Sequence, residues 1–285
     1  MKVARVIGTG AGMGYQDAGR RGWSRFGVPP GGAMDPGGWR LANHLVGNVG
    51  GQGAACAVEV ALQGAEIELL MDCWLGLAGA GHGFARLFRA GEHLRLATDG
   101  QCVWRYLAVP GGWEADCDFG SCSRHSVASL GRAIRKGTVL NSVGDNLVPF
   151  GHDVARRFCD WDEGPGKAGV FRVYPGPQFA SFPEESTRWI TEREWLVSSQ
   201  SDRTGYRLEG EGLPEAAAIT SEPVIPGSIQ VPPGGQPIVT MPDGPTVGGY
   251  PKIAWMEEAE RARLAQCPPG TTVRFGWIGC ETSDW

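Results

Sequence analysis

Polar and apolar residues alternate at every second position in several short runs of the chain. Ala65-Glu66-Ile67-Glu68-Leu69-Leu70, Val103 to Val109 and Thr272 to Phe275 read as β-strands with one face toward a core. Helix signals are few. Asp35-Pro36 joins an N-cap residue to a proline at the first helical position, predicting a helix through Trp39 and Leu45 to Gly47. A second helix is predicted from about Ile253 to Gln266, stopped by Pro268-Pro269. Thr191 and Glu194 have capping-box spacing, which predicts a short helical turn there. Gly-Pro clusters bound most strands, so the expected fold is mainly β, a pair of small barrels with a few short helices.

The chain also echoes itself. Val3-Ala4-Arg5-Val6 resembles Val170-Phe171-Arg172-Val173. At a shift of 171, Val58-Glu59-Val60 meets Ile229-Gln230-Val231, Gly64 meets Gly235, Ile67 meets Ile238, and Asp72 meets Asp243. Gly91 to Leu96 resembles Gly270 to Phe275. The matches keep their order, which predicts an ancient duplication. The polar, turn-forming stretch Asp160 to Lys167 is the best linker.

Composition narrows the class. The 285 residues include 45 Gly and 20 Pro, but also 11 Trp and 10 Phe, too many for a disordered chain. A net charge of −5 argues against a general nucleic-acid binder. No apolar run spans a bilayer, and the N-terminus lacks a signal-peptide core, so a cytoplasmic protein is expected. The eight Cys lack zinc-site spacing and read as free, mostly buried thiols; no metal site is predicted. Gly8-x-Gly10-x-Gly12 lacks dinucleotide-binding spacing and is rejected as a nucleotide site.

Several motifs carry a resemblance. Gln16 to Gly22, Gly27-Val28-Pro29-Pro30-Gly31-Gly32-Ala33-Met34-Asp35 and Ala42 to Asn48 resemble the opening of the KipA-like, or allophanate hydrolase subunit 2-like, family. Gly176-Pro177-Gln178, Asp202-Arg203-x-Gly205-Tyr206-Arg207-Leu208, Gly227 to Pro232 and Gly248-Gly249-Tyr250-Pro251 continue it in order. The resemblance implies two cyclophilin-like β-barrel domains related by duplication. The first would span residues 1–163, with an extra segment at about 98–160, and the second 169–285. It implies a KipI-like partner. Relatives include the C subunit of bacterial ATP-dependent 5-oxoprolinase, the carboxyltransferase domain of biotin-dependent urea carboxylase, and an antagonist of a kinase inhibitor. Two departures stand out. Cys122 follows Gly120-Ser121 where relatives carry Arg, and Asp243-Gly244-Pro245-Thr246 replaces a more polar turn containing Gln.

Candidate chemistry clusters in the second half. Gln230, Gln236, Asp243, Thr246, Tyr250 and Lys252 fall close together in sequence. Glutamine amides read a lactam or ureido edge. Lys252 offers positive charge to a developing oxyanion, and Asp243 or Asp202 could take a proton. Arg203 could bind a carboxylate, beside a pocket formed with Gln16, Asp17 and Arg20. The catalytic candidates are therefore Asp202, Asp243 and Lys252. The substrate-binding candidates are Gln16, Asp17, Arg20, Arg203, Gln230, Gln236, Thr246 and Tyr250. Each also has a structural reading: Asp243 in a turn, Lys252 offsetting Glu257 and Glu258, Asp17 with Arg20 as an ion pair. Cys122 as a nucleophile with His125, or bonded to Cys117, is the weaker alternative.

The function expected from the resemblance is that of the C subunit of an ATP-dependent 5-oxoprolinase, a lactam hydrolase active only in complex. Its partners would be a KipI-like subunit and an ATP-using lactam-utilisation subunit. This chain would bind no cofactor, with ATP on the partner. The alternatives are a carboxyltransferase acting on urea or a related amide, which needs biotin, and a KipI-binding regulator. Trp23, Phe26 and Trp255 are possible partner anchors, though such residues more often belong to a core.

Overall fold

A computed structural model describes residues 1–48, 55–62, 64–96, 102–148 and 169–279, with backbone alone at 154–157. The predicted linker, Cys159, Cys280 and His152 lie outside the described residues. The chain divides into two compact units. Unit 1 holds Met1–Arg21 and Gly31–Pro165, and unit 2 holds Gly22–Pro30 and Gly166–Trp285.

Unit 1 contains strands β1 (Lys2–Thr9), β2 (Gly12–Gln16), β3 (Ala57–Ala61), β4 (Ala65–Leu69), β5 (Cys73–Gly79), β6 (His82–Phe88), β7 (His93–Leu96), β8 (Trp104–Ala108), β9 (Val139–Asn141) and β10 (Val154–Arg157). One sheet runs β7-β4-β1-β9 and the other β10-β6-β5-β8-β3-β2. The alternation in β4 does what its sequence requires. Ala65, Ile67 and Leu69 are buried while Glu66 and Glu68 face outward. Glu68 meets Arg5 across the register at 3.0 Å. The Gly8-x-Gly10-x-Gly12 stretch is the end of β1, a two-residue turn and the start of β2.

Helix α1 (Pro36–Leu45) begins where Asp35-Pro36 predicts, with the Asp35 carboxylate accepting from Gly38 N–H at 2.9 Å. It packs on β5, which is buried along its whole length. Gly76 permits the approach: a Cβ there would collide with the Ala42 carbonyl oxygen of α1. Val6, Tyr15, Ile67, Phe88, Leu107 and Trp113 lie in the core of this unit.

Unit 2 contains β11 (Val170–Pro175), α2 (Glu184–Glu192), β12 (Trp195–Val197), β13 (Gly205–Glu209), β14 (Glu222–Pro223), β15 (Ser228–Gln230), β16 (Ile238–Thr240), β17 (Val247–Gly248), β18 (Lys252–Trp255), α3 (Glu258–Ala265) and β19 (Thr272–Trp277). Seven strands close into a barrel in the order β11-β18-β15-β16-β13-β12-β19, sealed by a parallel β11–β19 pair. A small ribbon pairs Glu222 with Gly248 and Pro223 with Val247. Phe171, Trp195, Ile229, Val239, Ile253 and Phe275 are buried in this unit.

The self-similar segments fall on strands in both halves: β1 and β11, β3 and β15, β7 and β19. Their neighbours differ, since β1 lies between β4 and β9 whereas β11 lies between β18 and β19. Two helix expectations are corrected. Residues 252–255 form a strand between β11 and β15, and the helix starts only at Glu258. Backbone pairing on both sides there outweighs the local helical pattern. Thr191 lies in the last turn of α2, not at a start. Pro183 and the acidic pair Glu184-Glu185 set the N-terminus instead. Trp23 and Phe26 are not core residues: they are 37% and 62% exposed.

Candidate functional site

The β15–β18 register places Gln230 opposite Lys252. Both are buried, at 5% and 3% exposure. A lysine so far from water needs a compensating charge. Glu222, on ribbon strand β14, supplies it through an ion pair with the ammonium. Gln178 ties the two together. Its Nε2 donates to Glu222 Oε1 at 2.9 Å, and its Oε1 accepts from the Lys252 backbone N–H at 3.1 Å.

Glycine makes this arrangement possible. A Cβ at Gly176 would collide with the Lys252 carbonyl oxygen. Without one, Gly176 donates to Ile253 O at 2.9 Å, and the turn that carries Gln178 rests against β18. On β17, a Cβ at Gly248 would stand 3.1 Å from Gln230 Nε2. Gln178, Glu222, Gln230, Gly248 and Lys252 thus converge where the ribbon meets the barrel. The hydrogen bond from Lys252, then that from Gln178, holds the Glu222 carboxyl below its usual range. One ammonium, two primary amides and a carboxylate suit recognition of an amide or lactam edge. The ammonium is also suited to a carbonyl oxygen that gains negative charge.

Other predicted residues of unit 2 have structural partners. Arg203 grips Asp243 with two parallel bonds, Nε to Oδ2 at 2.8 Å and Nη2 to Oδ1 at 2.9 Å. Asp202 accepts from the N–H groups of Thr204 and Gly205 at 2.7 and 3.1 Å, an Asx-type turn. Gln236 exchanges two hydrogen bonds with the Gly210 backbone. The Thr246 carbonyl accepts from Val224 N–H, and Tyr250 is exposed. Lys252 is paired with Glu222 rather than with Glu257 or Glu258.

In unit 1, Gln16, Asp17 and Arg20 fasten one segment, residues 118–124, to the end of β2. Gln16 Nε2 donates to Arg124 O at 3.2 Å. Arg20 donates to the carbonyls of Asp118 and Ser123. The Asp17 carboxylate accepts from Ser121 Oγ, Ser123 Oγ, Cys122 N–H and Gly19 N–H at 2.5 to 2.8 Å. Arg20 therefore bonds to backbone carbonyls rather than acting simply as an ion-pair partner of Asp17. The Cys122 sulfur lies 2.8 Å from that of Cys56. His125 Nδ1 accepts from Ala128 N–H.

Burial alone would raise the Asp17 pKa, but its four donors outweigh that and lower it. A depressed carboxyl stabilises the fold at any pH above the unfolded value of about 3.9, and that contribution fades as pH falls through the folded value. Acid titration followed by near-ultraviolet circular dichroism is expected to show Asp17→Asn losing less stability between pH 5 and 2 than the parent. Equal losses would refute the assignment.

Sequence reasoning does not single out Glu222 or Gln178 as site residues. Glu222 has no local signal, because its role comes from a ribbon partner 26 residues downstream. It also passes over Glu59, which is buried and accepts from Tyr106 Oη at 2.7 Å and Met34 N–H at 2.9 Å. Burial, then the charges of Glu59 and Asp35, pushes the Tyr106 phenol well up. The internal match of Glu59 with Gln230 is the available signal: each lies opposite a polar residue on the neighbouring strand, Tyr106 and Lys252 respectively.

No group of three or more His, Cys, Asp or Glu among the described residues is placed to hold a metal ion. No helix among them is long and apolar enough to cross a membrane.

Comparison with known proteins sets this geometry in a family. The 5-oxoprolinase C subunit of Escherichia coli K12 is 35% identical over 291 residues, covering 96% of this chain and 90% of the relative. The urea amidolyase of Lachancea kluyveri is 27% identical over 95% of this chain, but only 16% of that protein is matched. The crystal structure of TTHA0988 superposes with a TM-score of 0.82 at 30% identity, covering 97% of this chain and 55% of that one. The chain thus spans about half the length of that solved protein. A family model, the carboxyltransferase domain with subdomains A and B, matches residues 26–277. With most of its length so matched, the chain belongs to the carboxyltransferase domain family of subdomains A and B.

Proposed function

We propose that this chain is the C subunit of an ATP-dependent 5-oxoprolinase, acting with a KipI-like subunit and an ATP-using lactam-utilisation subunit. The observation that carries the reading is near end-to-end similarity to the corresponding E. coli 5-oxoprolinase component, 90% of which is matched. The Gln178–Glu222–Gln230–Lys252 cluster supports it, because its donors and acceptors suit a lactam.

On this reading Gln230 orients the lactam amide in the barrel mouth. Lys252 stabilises the ring carbonyl oxygen as negative charge develops on it. Glu222 and Gln178 hold the ammonium in place, so little reorganisation is needed during reaction. ATP on the partner supplies the driving force for opening an unstrained ring. Asp202, engaged by its own loop, and Asp243, gripped by Arg203 from that same loop, hold the two loops in shape.

The urea amidolyase likeness favours a second reading, carboxyl transfer from biotin to urea or a related amide. Reconstitution separates the two. The chain mixed with both partner subunits should consume ATP and release glutamate only when 5-oxoproline is supplied. Carboxylation of urea when the chain is given a carboxylated biotin carrier, with no ATP consumption driven by 5-oxoproline, would replace the proposal with the second reading.

A further inference from the structure

Cys56 and Cys122 meet at a place the proposed reaction does not use. Cys56 immediately precedes β3, and Cys122 lies in the segment that Asp17 fastens. The Cys122 thiol donates to the Cys56 sulfur at 2.8 Å. Reaching the S–S bond length of about 2.05 Å takes roughly 0.8 Å of approach. Both backbones are held: Cys56 O accepts from Trp113 N–H at 3.1 Å, and Cys122 N–H donates to Asp17 at 2.7 Å. The pair differs in access, with Cys56 half-buried and Cys122 buried. Hydrogen bonding to Cys56, then burial, raises the Cys122 thiol's pKa; Cys56, the more accessible of the two, is the one an incoming disulfide meets first.

We propose that Cys56 and Cys122 form a reversible thiol–disulfide site, oxidised by a small disulfide such as oxidised glutathione. Cys56 gives its proton to water, and the resulting thiolate attacks one sulfur of oxidised glutathione, breaks its S–S bond and releases one glutathione thiolate, which takes up a proton. Cys122 then loses its proton to water, attacks the Cys56 sulfur and expels the second glutathione. Two protein S–H bonds are lost, one S–S bond forms, and the two electrons leave in two reduced glutathiones. The new bond links the start of β3 to the segment carrying the Asp17 donors, across 66 residues of chain. It limits the freedom of the unfolded chain and so stabilises unit 1. The proposal stands whether or not the chain belongs to a 5-oxoprolinase.

The test treats the folded full chain with oxidised glutathione, alkylates the remaining thiols and maps peptides without reduction. The expected result is loss of two thiols, a Cys56–Cys122 linked peptide and a higher thermal midpoint, all reversed by dithiothreitol. Cys117→Ser should behave like the parent, since Cys117 is exposed and lies outside the pair. Cys56→Ser and Cys122→Ser should lose the linkage. A bond from Cys117 to either residue, a glutathione adduct persisting on Cys56 beside an alkylated Cys122, or unreacted thiols in the folded chain would overturn the proposal. Mapping the parent protein decides this even if a variant fails to fold.

Discussion

Lys252→Met is expected to leave the protein folded and to lower turnover of the assembled complex by about 10²–10³-fold. Methionine matches the length of the lysine stem, so the barrel mouth stays filled. The partner left behind, Glu222, has a side chain 37% exposed, and water can solvate its charge. Only the cation is lost, and with it the group placed to meet a developing oxyanion. Steady-state glutamate release with 5-oxoproline and ATP measures the effect. Circular dichroism and assembly with the partners serve as the folding control. A folded, assembled variant with parental turnover would remove Lys252 from the reaction. Gln230→Ala should mainly raise KM, because its amide is assigned to holding the substrate rather than to charge that appears later.

The second large effect concerns stability. Asp17→Ala strips four donors of their shared acceptor at once: two serine hydroxyls and two backbone N–H groups. The hydroxyls can turn to other partners, but the N–H groups cannot. A loss of about 3 kcal/mol is expected. For a unit of this size that lowers the thermal midpoint by roughly 10 °C. Asp17→Asn keeps one acceptor oxygen and should lose less. Differential scanning calorimetry of the three proteins gives the ranking, and an unchanged midpoint for the alanine variant would show that the segment at residues 118–124 is held by other contacts.

These two residues also show what the sequence can and cannot convey. Strand β4 and the Asp35-Pro36 helix start are legible because their determinants are local, a period of two in one case and a cap in the other. The stretch at 252–255 has a helical local pattern, and only tertiary pairing with β11 and β15 makes it a strand. Lys252 and Gln230 are legible as candidates, and the register brings them face to face. Their supports are not. Glu222 and Gln178 reach Lys252 from 30 and 74 residues away, through a ribbon and a glycine turn that no spacing rule anticipates. Asp17 stands out in the sequence as a polar candidate, but the four donors that hold its carboxylate do not. Three of its four partners lie more than 100 residues downstream. A similar separation in sequence hides the Cys56–Cys122 contact, which no short motif announces.

The most direct test of the central claim is a crystal structure of the chain assembled with its KipI-like and ATP-using partners in the presence of 5-oxoproline. The account predicts the lactam bound in unit 2, its amide on Gln230 and its carbonyl oxygen toward the Lys252 ammonium. A lactam bound entirely by another subunit, with Gln230 and Lys252 touching neither it nor its product, would contradict it.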